Sequence, residues 1–168
     1  LENVIRALEQ GRRFARDPLE YYVSVFGTPD AHGSWSWRFE GHHLSLHFTV
    51  VAGEITVSTP TFMGTNPAEL REGPNKGQRP LGAQEDRARA LARSLTETQR
   101  GAGLIADVAP AEITTTNSYP IEPLKPAGIL ATALSAEQQE MLKALIESHA
   151  SPMATEIAAE RLARVYDA

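Results

Sequence analysis

The stretch Trp35-Ser36-Trp37-Arg38-Phe39-Glu40-Gly41-His42-His43-Leu44-Ser45-Leu46-His47-Phe48-Thr49-Val50-Val51 decides the fold. Its alternation of apolar and polar residues marks extended backbone, in which successive side chains point to opposite faces. The alternation changes phase partway along. Trp35, Trp37 and Phe39 are apolar at odd positions, whereas Leu44, Leu46, Phe48 and Val50 are apolar at even ones. One regular strand cannot bury both sets, because a shift of one residue turns every side chain over. An extra residue near Glu40-Gly41 repairs the phase, and a glycine is where a bulge costs least. This reading expects a single long strand from Ser34 to Val51, bulged at Gly41, with His42 on the buried face beside Phe39 and Leu44. His43, Ser45 and His47 then point the other way.

Working outward, Ala52-Gly53 reads as a tight turn to a second strand run, Glu54 to Phe62. The register expected across that turn sets Val51 opposite Glu54, Val50 opposite Ile55 and Phe48 opposite Val57, and Pro60 ends the run or confines it to an edge. Upstream, Tyr21 to Phe26 reads as a short strand closed by Gly27-Thr28-Pro29-Asp30, and residues 1–16 read as a helix stopped by Asp17-Pro18. From Gly64 to Gly82 the chain is dense in Gly, Pro and Asn, the composition of a lid, a binding loop or a linker.

The second half has helical spacing. Glu85 to Leu95 carries Ala88, Leu91, Ala92 and Leu95 on one stripe. Thr96 with Gln99, and Ser135 with Gln138, are capping-box pairs. The second opens a helix whose apolar stripe is Met141, Leu142, Leu145 and Ile146. Ser151-Pro152 reads as the start of a last helix with Ala158, Leu162, Val165 and Tyr166 inward. Residues 110–126 read as extended and Pro-rich. The expected class is α+β: an antiparallel sheet with a long bulged hairpin, packed against several helices, forming one domain over residues 1–168.

Composition narrows the chemistry. The 168 residues include 16 Lys or Arg and 21 Asp or Glu, for a formal charge of -5, with 42% apolar residues and no cysteine. That is an ordinary soluble globular composition. The absence of cysteine removes disulfides, thiolate metal sites, iron–sulfur clusters and thiol nucleophiles. The acidic balance argues against nucleic acid as a partner, and no apolar run approaches the ~18 residues that span a bilayer. The chain opens on Leu1 inside a helical pattern, which reads as a fragment or a processed chain, so a cytoplasmic and an exported location both stay open for a soluble protein.

One cluster carries chemistry. Three of the five histidines, His42, His43 and His47, lie within six residues. Strand residues four apart are ~13 Å from each other, so His43 and His47 cannot share an ion. His42 and His43 face opposite sides of a regular strand, and converge only if a bulge loosens the facing rule. Candidate metal ligands are therefore His42 and His43, for Zn, Cu or Fe, with Glu40 and Arg79 as candidate catalytic groups and Trp35, Trp37 and Asn66 as candidate contacts to a small-molecule ligand. A structural reading stands beside this one. In it His42 is a core histidine, His43 and His47 are surface residues, the tryptophans fill a core, and Arg38 with Glu40 form a solvated ion pair. A metal-dependent enzyme and a non-catalytic binding scaffold, presenting Trp35, Trp37 and Phe39 to its partner, both remain open.

Three strings, Tyr21 to Pro29, the Trp-x-Trp-x-Phe-Glu-Gly-His-His-Leu-Ser-Leu block at 35–46, and Thr59 to Pro67, together resemble the proteins grouped as domain of unknown function 3500. The resemblance covers nearly the whole chain, and corresponds to the N-terminal and central part of the family's longer members. It implies a C-terminal remainder beyond residue 168, β-rich, with a His-x-His pair near a Trp, as the completing partner of this chain. It also implies a three- or four-histidine transition-metal centre built from Gly41-His42-His43 and that pair. At position 47 the family is expected to carry Asn, so the resemblance makes His47 incidental.

Overall fold

The computed structural model describes residues 19–115 and 122–167. The helix expected over residues 1–16 and the middle of the 110–126 segment lie outside them. The chain divides into two compact units, residues 1–83 with 150–168, and residues 84–149. The class is α+β, as the sequence indicates, with five antiparallel strands in the first unit.

That sheet consists of β1 (Tyr22–Phe26), β2 (Ser34–Gly41), β3 (Leu44–Val51), β4 (Glu54–Val57) and β5 (Thr61–Met63). The strands run in the order β1-β2-β3-β4, with β5 also on β3. Residues 34–51 are not one bulged strand. They form a tight hairpin in which Gly41 pairs with Leu44 and the whole turn is His42-His43. The phase change has a simple cause. Across a two-residue turn each residue number and its partner's add to an odd sum, so odd positions on one strand share a face with even positions on the other. Trp35 thus pairs with Val50, Trp37 with Phe48, and Phe39 with Leu46. Both apolar sets lie on one face without a bulge, and His42 belongs to no buried strand face.

The bulge sits in the next hairpin. Val51 pairs with Glu54 and Val50 with Ile55 as expected, but the register then slips so that Thr49 meets Val57 and Thr56 is the extra residue. Ala52 (φ 52°) and Gly53 (φ 85°) both occupy the left-handed region, as a primed two-residue turn requires. β4 and β5 together are the expected second run, interrupted at Ser58-Thr59-Pro60. Between them the His47 N–H donates to the Pro60 carbonyl at 3.2 Å, so both pieces follow the same edge of β3.

The apolar face carries the core. Trp37 and Phe48, directly paired, stack with ring centroids 4.5 Å apart, and Phe48 and Val50 are buried. The largest fully buried side chain described is Leu70, 1% exposed, in the Gly-rich loop. Its N–H donates to the Gln78 carbonyl at 2.9 Å and its carbonyl accepts from Gly77 at 2.8 Å. The loop therefore closes on itself around an apolar anchor, as compact surface loops do.

The last helix of this unit, Thr155–Tyr166, starts three residues later than Pro152. The preceding residues turn instead: the Met153 N–H donates to the Ala150 carbonyl at 3.0 Å, and the Met153 side chain is buried. Ile157, Ala158, Arg161 and Leu162 form its half-buried stripe, while Val165 and Tyr166 are exposed. Two arginines tie it to the sheet. Arg161 donates to the Thr61 hydroxyl at 3.2 Å. Arg164 donates to the Thr56 carbonyl at 2.8 Å. Thr56 is the bulged residue, so the arginine satisfies a carbonyl at the place where the ladder is disrupted.

In the second unit, helices span Gly82–Ser94, Glu97–Gly103 and Ala136–Ala150. Both capping boxes form. They also meet: the Gln99 and Gln138 side-chain amides exchange two hydrogen bonds of 2.9 Å each. Gln138, 5% exposed, additionally donates to the Ser94 carbonyl at 2.8 Å. Each cap glutamine thus serves its own helix start and braces the other, which satisfies a buried amide fully.

Candidate functional site

Gly41, His42 and His43 stand at the end of the sheet where β2 turns into β3. On a straight strand the two imidazoles point apart. At a two-residue turn they need not, and here the ring centroids are 4.3 Å apart with planes tilted by 50°. Neither residue has a positive φ. Two nitrogens held at ~2.0–2.1 Å from one tetrahedral ion are about 3.3 Å apart, a spacing compatible with rings this close.

Two aromatic–glycine contacts frame the turn. A Cβ on Gly41 would lie 2.6 Å from Tyr21 Cε1, so the Tyr21 ring occupies the space that a side chain there would need. That ring also stacks on Phe39 at 5.3 Å. On the other side the Gly64 N–H donates to the His43 carbonyl at 3.0 Å, extending the β3–β5 register to the turn. A Cβ on Gly64 would lie 2.7 Å from Phe62 Cζ. Tyr21, Phe62 and Gly64 were not among the expected site residues. For Tyr21 the available signal was an aromatic residue set to lie across the sheet from a strand glycine, a recurring way of covering exposed glycine backbone.

The remaining candidates fall elsewhere. Glu40 and Arg38 form an ion pair of 2.7 Å on the polar face, half-exposed on both sides. Arg38 also lies over the Phe26 ring, 5.6 Å from its centroid, and Phe26 stacks with His47 at 5.8 Å. Trp35 and Trp37 are on the apolar face, half-buried, Trp37 against Phe48. Asn66 is exposed, two residues past Gly64. The Arg79 side chain folds over its own turn, with Cβ 3.0 Å from where a Gly82 Cβ would stand. The structure thus brings His42 to His43 and Arg38 to Glu40. Among the described residues no group of three or more His, Asp and Glu is placed to hold a metal ion.

One titration is displaced near the site. The Tyr21 hydroxyl is buried with no hydrogen-bond partner among the described residues, and burial pushes its pKa above the ordinary 10.0.

The protein is an α+β chain whose antiparallel sheet ends, between β2 and β3, in the His42-His43 turn. A family described as protein of unknown function (DUF3500) matches residues 1–168, and the chain belongs to that family. Comparison with curated proteins and with solved structures gave no match. No helix among the described residues is long and apolar enough to cross a membrane.

Proposed function

We propose that the protein is a metal-dependent enzyme in which His42 and His43 bind one transition-metal ion at the end of the sheet. The supporting observation is the 4.3 Å approach of the two imidazoles on a turn framed by Tyr21 and Phe62. Zinc, copper and iron all accept imidazole. Two imidazoles fill half of a tetrahedral shell, which leaves positions for further ligands, water or a small-molecule substrate. An ion bound there supplies Lewis-acid or bound-water chemistry. Glu40 takes a positioning role in this reading, because Arg38 already holds its carboxylate.

The test is metal analysis of the freshly purified full chain, followed by thermal unfolding with added zinc, copper or iron. A near-stoichiometric transition metal, or a rise in Tm that His43→Ala abolishes, supports the proposal. No bound metal together with an unchanged Tm contradicts it.

A further inference from the structure

β1 forms one edge of the sheet, and among the described residues its only strand neighbour is β2. Edge strands of stable monomers are usually blunted by lysine, proline, a bulge or an inward charge. Tyr22-Val23-Ser24-Val25-Phe26 has no charge and no proline, and its register with β2 is unbroken. Tyr22 is 60%, Val23 67%, Val25 51% and Phe26 44% exposed. Apolar side chains therefore stand exposed on both faces of an edge that no other described strand pairs.

The strand has nearly the same residue classes read in either direction: aromatic, valine, serine, valine, aromatic. We infer that β1 pairs antiparallel with β1 of a second copy of this chain, about a two-fold axis at Ser24. In that register Tyr22 faces the partner's Phe26, Val23 faces the partner's Val25, and the two Ser24 residues face each other. Cross-strand aromatic and β-branched pairs are the favourable ones in antiparallel sheets, and an isologous contact is the commonest in homo-oligomers. The edge of β1 that no other described strand pairs gains hydrogen-bond partners, and two sheets become one. A strand from an unrelated protein would satisfy the backbone but would not account for the self-complementary order of side chains. Five paired residues bury less than the ~1,200–2,000 Å² of a standard stable interface, so the dimer depends on concentration.

The chain has no cysteine, so Ser24→Cys introduces a single thiol. Directly opposed strand residues have Cα separations of about 4.5 or 5.5 Å, both within disulfide range. Sedimentation velocity of the full chain, from low to high micromolar, is expected to move from 18.3 kDa towards twice that mass. Val23→Lys should remain monomeric throughout with an unchanged far-UV circular dichroism spectrum. S24C oxidised with diamide should give a covalent dimer, whereas Thr28→Cys, far from the axis, should not. A wild-type chain that stays monomeric overturns the inference. So does a dimer that S24C fails to cross-link, or one that T28C cross-links equally well. The S24C result decides the matter even if V23K does not fold.

Discussion

At position 41 a missing side chain lets the Tyr21 ring lie flat against the backbone just before the two histidines. Gly41→Ala puts a carbon 2.6 Å from that ring, and the ring cannot retreat freely because Phe39 stacks on it. Overpacking of this kind costs ~1–3 kcal/mol, expected as a Tm lower by several degrees in thermal unfolding. The same tyrosine predicts an opposite effect. Its buried hydroxyl has no partner among the described residues, so Tyr21→Phe should leave stability unchanged or raise it by about 1 kcal/mol in urea titration. The sign of its pH dependence follows from burial. The folded state holds the phenolic proton more tightly than the unfolded chain does, so this contribution is complete below pH 10.0 and declines as the pH rises above that value. Unfolding measured across the alkaline range should show a shallower decline for Tyr21→Phe than for wild type. None of this was legible from the residues one at a time, since Tyr21 and Gly41 meet only through the β1–β2 register.

At the scale of elements, sequence periodicity marked the three stretches that hold the five described strands, and both capping boxes, and missed that the two longer stretches are each broken in two. The odd-to-even switch between Phe39 and Leu44 fits a bulge and a two-residue turn equally well. The usual turn signals, Asn-Gly or Asp-Gly, are absent from His42-His43, which keeps negative φ values. Ala52-Gly53 was recognisable because its glycine fits a primed turn. Its alanine does not fit well: at φ 52° it sits where L-residues pay ~1–2 kcal/mol. Ala52→Gly is accordingly expected to raise the denaturation midpoint by roughly 1 kcal/mol equivalent. In the second unit the coupled caps make a stronger claim. Gln138→Ala removes bonds to Ser94, Ser135 and Gln99 together, for an expected loss of about 2–3 kcal/mol. A double-mutant cycle with Gln99→Ala should then show coupling of at least ~0.5 kcal/mol, whereas independent caps would add.

Over the whole molecule, the absence of cysteine left histidine and carboxylate as the candidate ligands, and the histidine block singled out two residues that meet at one end of the sheet. What could not be read was convergence. Strand logic separates His42 from His43, whereas the turn sets their rings side by side. Leu70 was hidden for a similar reason: an apolar residue in a Gly- and Pro-rich loop carries no periodicity to mark it as core. The metal reading depends on these two imidazoles acting together, so each should matter about equally. The most direct test is a cobalt(II) or zinc titration of the full chain beside His42→Ala and His43→Ala, with circular dichroism confirming that both variants fold. The account predicts one ion per chain and a loss of affinity of at least ~10–100-fold in either variant. Saturable binding that both variants retain unchanged, or no binding by the wild-type chain, would contradict it.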